Sequence, residues 1–267
     1  MQLTILGTAQ PFPVPGNACS GYLLASGETQ VLVDAGTGTL AELQRHTTLD
    51  SLDAIWVSHR HADHSADLLV AYYALRATKV GAARRIRLIG PEGLDERLAT
   101  YLGGDAAEGL HEVFEFTEMH GWGEALVGEL ALAWGPVSHG VPAFALTVTD
   151  VGGLGVERGS AGAEVVPDDG SFTYSGDTGP CTSLVEMAEE SSTLLAEAGY
   201  DVAPARGEEY VHLTPEDAGR AATSAGVSTL LLTHLALGLT PAAARSRAAT
   251  TFAGAVALAL PGQTFTV

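Results

Sequence analysis

The chain predicts an α+β fold, a four-layer αββα sandwich, with residues 1–267 forming one domain. Three observations carry this reading. Short β-rich runs recur in both halves of the chain, each half also holds helical segments, and no linker divides them. Two sheets packed face to face and covered outside by helices bury every apolar face such a pattern creates. At 267 residues and 46% apolar, the chain can build that core.

Taken in order, residues 3–6, 22–25 and 31–34 read as short strands separated by Gly, Pro and Asn turns. Thr39-Leu40-Ala41-Glu42 has the spacing of a capping box, which predicts a helix over 40–46. Residues 54–57 form an apolar strand that ends at Ser58, and a Leu- and Ala-rich helix follows over 66–77. A strand is expected over 86–89, then a helix opened by Pro91-Glu92 and ended near Gly103-Gly104. Strands follow over 113–116, 130–134 and 144–149, then a Gly-rich acidic hairpin tip or loop over 151–170. Residues 171–174 and a run from Leu194-Leu195 are strands. Thr214-Pro215-Glu216-Asp217 opens a helix: Thr214 caps it, Pro215 takes the first position, and the acids favour the positive end of the dipole. Residues 230–232 form a buried strand, and Thr240-Pro241 starts a last helix.

The charge excludes some functions. There are 32 acids against 13 bases, a net charge of −19, and Lys79 is the only lysine. A nucleic-acid backbone is gripped by clustered positive charge, and the densest basic stretch is the short Arg84-Arg85-Ile86-Arg87. A small-molecule substrate is therefore expected, with nucleic acid disfavoured. No apolar run is long enough to span a membrane, and the first six residues read as a strand, not a signal peptide. The expectation is a cytoplasmic protein in which Cys19 and Cys181 are free thiols.

The chemistry concentrates at His59-Arg60-His61-Ala62-Asp63-His64, four ligand-type residues within six positions directly after an apolar strand. Imidazole and carboxylate suit zinc and related metals. His59 and His61 alternate by two, so extended backbone converges them on one ion; Asp63 and His64, where a turn enters a helix, can reach a second. His139, Asp177 and His234 each follow or separate strands and complete the set, with Asp177 suited to bridge through its two oxygens. His46, His111 and His120 are expected to be surface residues, and Trp56, Tyr72 and Tyr73 are read as core.

These motifs, with Ser175-Gly176-Asp177-Thr178 and Leu232-Thr233-His234, resemble the metallo-β-lactamase superfamily. Leu6-Gly7-Thr8, Val33-Asp34-Ala35-Gly36, Ile89-Gly90-Pro91, Glu197-Ala198 and His212-Leu213-Thr214 are similar to its ribonuclease Z-like and cyclic-nucleotide phosphodiesterase branch. The resemblance implies two Zn2+ ions, with Mn2+ or Fe2+ as substitutes. His59, His61 and His139 would hold the first, Asp63, His64 and His234 the second, and Asp177 would bridge. It also implies that His212 assists cleavage, that Asp63 orients or deprotonates the attacking water, and that Glu197 orients His212 or a ligand histidine. A homodimer is common in that branch.

Two departures bear on substrate. The branch's tRNA-clamping arm lies between the positions of His139 and Asp177, and here that interval holds 37 residues with no basic arm. Ala236-Leu237-Gly238-Leu239 also lacks the aromatic or polar residues usual after the last histidine. The leading expectation is a binuclear metal-dependent phosphodiesterase acting on a small substrate such as a cyclic nucleotide. The alternatives are tRNA 3′-processing, a thioester or lactone hydrolase or cyclase, and a non-catalytic metal- or ligand-binding protein.

Overall fold

A computed structural model describes residues 1–77, 84–103, 106–152 and 171–267. Lys79, Gly104 as a helix end, and most of the loop expected over 151–170 lie outside the described residues. The first half supplies β1 (Gln2–Ala9), β2 (Ala18–Cys19), β3 (Gly21–Ser26), β4 (Thr29–Val33), β5 (Ala54–Trp56), β6 (Ile86–Pro91) and β7 (Phe114–Met119). The second supplies β8 (Gly123–Val127), β9 (Leu130–Pro136), β10 (Phe144–Asp150), β11 (Ser171–Tyr174), β12 (Thr193–Ala198), β13 (Thr229–Leu235) and β14 (Ala255–Leu258). The last strand, β15 (Thr264–Thr266), returns to the first sheet, which runs β15-β1-β3-β4-β5-β6-β7 with β2 beside β1. The second sheet runs β14-β13-β12-β11-β10-β9-β8.

The period-two alternation of strand side chains sorts residues into separate cores. Leu3, Ile5, Val31, Val33, Trp56, Phe172, Tyr174, Leu195 and Leu231 pack between the sheets. Their strand neighbours Leu6, Leu32 and Ile55 point outward under α1 (Thr39–Leu43), α3 (Asp67–Ala77), α4 (Leu94–Leu102) and α5 (Ala106–Val113). The short α2 (Ala62–Ser65) precedes α3. Leu194, Leu230 and Leu232 face α6 (Thr182–Ala188), α7 (Pro215–Ala225) and α8 (Pro241–Ala248). These layers are the αββα sandwich the sequence predicts. Among the described residues, no helix is long and apolar enough to cross a membrane.

Several elements differ from expectation. The helix predicted over 40–46 is the shorter α1, and Thr39 does not cap it: the cap position is Gly38, at φ 94°. The Asp67 carboxylate, at the start of α3, instead accepts from the amides of Gly38 (3.0 Å) and Leu40 (2.8 Å). The Thr39 hydroxyl turns back to the carbonyl of Gly36. Pro91 ends β6 rather than opening a helix, and α4 starts at Leu94 after Gly93. The helix at Thr214-Pro215 has the capping box its sequence announces, closed by Asp217. Trp56 and Tyr72 are core residues, whereas Tyr73 is exposed.

Most strands that lead into the site are parallel; β9, which leads to His139, is antiparallel to its neighbours β8 and β10. β4, β5 and β6 run together with Val33, Trp56 and Ile89 in register, and β11, β12 and β13 with Tyr174, Leu195 and Leu231. Their carboxyl ends lie at one edge, where loops from both sheets meet. Replacing Asp67 with Ala should cost about 1–2 kcal/mol, the range for losing a helix cap. Urea unfolding checks this, and a change near zero would show that water replaces the carboxylate.

Candidate metal centre

The loops after these strands carry the histidines and carboxylates. His59 leaves β5 through Val57 and Ser58, and His61 has extended backbone at the start of α2, which carries Asp63 and His64. His139 follows β9, Asp177 follows β11, and His234 lies in the last turn of β13 with φ 47°. A positive φ at a non-glycine residue is strained and is tolerated best by Asn, Asp and His. Close backbone approach is built in at Gly36, where an added Cβ would come 2.0 Å from the Asp63 carbonyl oxygen.

The structure brings all seven residues together. His59 Nε2 lies 3.0 Å from His61 Nδ1, which lies 3.2 Å from His139 Nε2. His64 Nε2 lies 3.3 Å from His234 Nε2, and Asp63 Oδ2 lies 3.4 Å from His234 Nε2. Asp177 sits between the two groups: one oxygen is 3.6 Å from His59 Nε2 and 3.5 Å from His234 Nε2, the other 3.3 Å from His64 Nε2. Ligands of a tetrahedral zinc stand about 3.3 Å apart when bonds are about 2.0–2.1 Å.

The outward nitrogens settle which way three of these rings carry their protons. His139 Nδ1 donates to the Val211 carbonyl at 2.9 Å, and His64 Nδ1 to Asp34 Oδ2 at 2.7 Å. Ser58 Oγ donates to Asp34 at 2.9 Å, so its lone pair accepts from His59 Nδ1 at 3.0 Å. Burial lowers the pKa of His59 and His139, so each of these neutral rings turns a lone pair inward. Burial also opposes protonation of His64, but Asp177 and Asp34 outweigh it and raise its pKa, so its inner nitrogen carries a proton that a cation displaces. Asp177 Oδ1 is buried without a hydrogen-bond partner. Electron-pair donors at such spacings repel unless cations lie among them, so the donor set fits divalent metal.

Asp34 is the residue that sequence reasoning did not assign. It is fully buried, has φ 59°, and accepts from the Ser58 amide (2.7 Å), the Ser58 hydroxyl, His64 and the Tyr174 hydroxyl (2.8 Å). The signal was the position of Val33-Asp34-Ala35-Gly36 at a strand end, which alone reads as a turn. Tyr22, against Tyr174, donates to or accepts from Thr233 at 2.7 Å, joining the sheets beneath the centre.

His212 and Glu197 lie at the same edge. His212 Nδ1 is 2.9 Å from Glu197 Oε1, and its ring centroid is 5.1 Å from His139 and 5.8 Å from His234. Glu197 is fully buried and also accepts from the amides of Thr178 and Gly199. Burial opposes protonation of His212, but the hydrogen bond and charge of Glu197 outweigh it and raise its pKa above the ordinary imidazole value. The Gln10 side chain donates to the Gly199 carbonyl, just after β12. His46, His111 and His120 are exposed, and Cys19 and Cys181 are free.

Fold and site define a class, the metallo-β-lactamase superfamily, and the chain belongs to it: the model of the β-lactamase superfamily domain matches residues 29–235. Over its whole length the chain is 31% identical to an uncharacterized protein of Mycobacterium leprae, covering 89% of that protein. The probable metallo-hydrolase YhfI of Bacillus subtilis is 29% identical, with 98% of each chain covered. Its crystal structure superposes with a TM-score of 0.81, at 25% identity over 99% of this chain and 98% of that one. A ribonuclease Z of Myxococcus xanthus is 28% identical over 88% of this chain and 87% of its own length. The family is one of metal-dependent hydrolases.

Replacing Asp34 with Ala should weaken metal affinity about 10- to 100-fold, because the carboxylate orients His64 and, through Ser58, His59. Competition against a chromogenic chelator measures it. Unchanged affinity would show that the rings hold their orientation without Asp34.

Proposed function

We propose that the centre holds two divalent cations, zinc in the first instance with manganese or iron(II) as substitutes, and that the chain hydrolyses a phosphodiester in a small substrate such as a cyclic nucleotide. His59, His61 and His139 would hold one ion, Asp63, His64 and His234 the other, and Asp177 would bridge. When bound, such ions supply Lewis acidity and a nucleophile at neutral pH.

The observation that carries the phosphodiester reading is the His212–Glu197 pair beside both ligand groups. Glu197 engages His212 Nδ1, and His212 Nε2 has no hydrogen-bond partner among the described residues. An imidazolium so held has one N–H left to give. Its place suits donation to a departing alkoxide or to a phosphate oxygen in an in-line displacement. Asp63, largely buried beside the ligand groups, would orient the attacking water and accept its proton. A carbonyl substrate such as a thioester has less need of this donor, since its leaving group departs without a proton. The relative named ribonuclease Z supports phosphoryl chemistry. The net charge of −19 and the short interval between His139 and Asp177 speak for a small substrate over tRNA.

Metal-loaded protein is expected to turn over bis(4-nitrophenyl) phosphate or a cyclic nucleotide. Turnover of a thioester, a lactone or precursor tRNA without these would overturn the reading. His212→Ala should lower kcat on a cyclic nucleotide, whose leaving alkoxide needs a proton, about 10²- to 10⁴-fold at unchanged metal content, and should affect bis(4-nitrophenyl) phosphate, whose nitrophenolate leaves without one, far less. The acid must be protonated, so activity should fall as pH rises through the raised His212 pKa. Glu197→Gln removes the charge that raises it and should move this alkaline limb to lower pH. A limb that stays in place in Glu197→Gln would assign it to another group.

A further inference from the structure

Arg247 lies outside the metal centre but ties down the loop that serves it. Between β12 and α7, residues 199–214 contain no helix or strand, and residues 201–209 are exposed apart from half-buried Pro204. A stretch with so little buried surface is not placed by packing. Yet two of its groups work at the centre. The Val211 carbonyl accepts from His139 Nδ1 at 2.9 Å, and His212 Nδ1 is held by Glu197 at 2.9 Å.

Polar ties at the two roots of the loop do the placing. Arg247, near the end of α8, donates from Nη1 to Asp201 Oδ1 at 2.5 Å and from Nη2 to the Asp201 carbonyl at 2.6 Å. Its Nε and Nη2 also donate to the two carboxylate oxygens of Glu216, at 2.7 and 2.8 Å. Asp201 begins the exposed stretch and Glu216 lies in the first turn of α7, just past its end, so one guanidinium spans both roots. The Tyr200 amide closes the same neck by donating to the Leu213 carbonyl at 3.0 Å. Further along, the Tyr210 hydroxyl donates to Asp217, and a Cβ added at Gly179 would come 1.8 Å from the Tyr210 carbonyl oxygen. A planar fork that meets acceptors on two sides at once is a task for Arg that Lys does not copy. The Arg247 side chain is 30% exposed. An ion pair at that depth adds little to global stability, so its effect falls on the segment it ties.

We propose that Arg247 is a positioning residue: by tying Asp201 to Glu216 it closes the 201–213 loop, and so sets the Val211 carbonyl against His139 and the His212 ring beside the centre. The effect on His139 follows from the geometry alone; the effect through His212 rests on the phosphodiester reading.

Two variants open the tie from opposite sides. In metal-loaded Arg247→Met, the His139 Nδ1 proton should exchange with solvent at least about 10-fold faster than in the wild type, while the amides of β12 and β13 keep their rates. Asp201→Ala, at a 57% exposed side chain, should speed the same proton and serves if Arg247→Met does not fold. On a cyclic nucleotide, Arg247→Met should lower kcat about 10-fold in otherwise wild-type protein and less than about 2-fold on a His212→Ala background. An unchanged His139 proton in both variants would show that the loop is held without Arg247 and overturn the proposal. So would faster exchange throughout both strands, or the same kcat loss in both backgrounds, since either marks a general structural role. A faster His139 proton in a protein whose wild type cleaves no phosphodiester would support the tie and overturn the phosphodiester reading instead.

Discussion

The structure turns on where the imidazole protons are. His64 and His139 each give an outward N–H to a fixed oxygen, and His59 gives one to Ser58. Their inner nitrogens, lone pairs in His59 and His139, face the other ligand nitrogens and the oxygens of Asp63 and Asp177 at 3.0–3.8 Å. A buried cluster so rich in acceptors is unfavourable alone. It becomes favourable once cations occupy the spaces between them, which makes metal binding part of the folding free energy.

The scaffold imposes this arrangement through register more than through local propensity. Two sets of parallel strands end at the same edge, and each contributes a loop as its strand stops. Asp34 and His234 both adopt positive φ there, so the backbone is held in strained form at two points of the site. The Asp34 carboxylate binds groups from β5, α2 and β11, and the Tyr22–Thr233 contact adds a second link between sheets. Rigidity at the outer nitrogens of His59 and His64 is thereby set by buried Asp34, whereas His139 is held by the Val211 carbonyl in the loop before α7.

Much of this was legible in the sequence, for physical reasons. Four ligand-type residues after an apolar strand need a chemical purpose, so the cluster from His59 to His64 announces itself. The strands were visible as apolar runs, and the loops that end antiparallel β9 and parallel β11 and β13 located His139, Asp177 and His234. Other features were not readable because they depend on partners far along the chain. Thr39 to Glu42 has a capping-box pattern, yet the α1 amides are capped by Asp67, a tertiary contact that no local window contains. Asp34 looks like a turn residue until His64 and Tyr174 are placed around it. The edge strands β8 and β14 were missed: β8 is half exposed and mixes Gly and Glu with its apolar residues, and β14 is an Ala-rich run of four.

Cation occupancy is the most direct measure of the central claim. Protein stripped of metal and dialysed against limiting zinc should take up two equivalents per chain, and the histidine Nε2 resonances of His59, His64 and His139 should report metal coordination. Protein that retains no zinc at micromolar concentration, with those nitrogens protonated and the fold unchanged, would contradict the account.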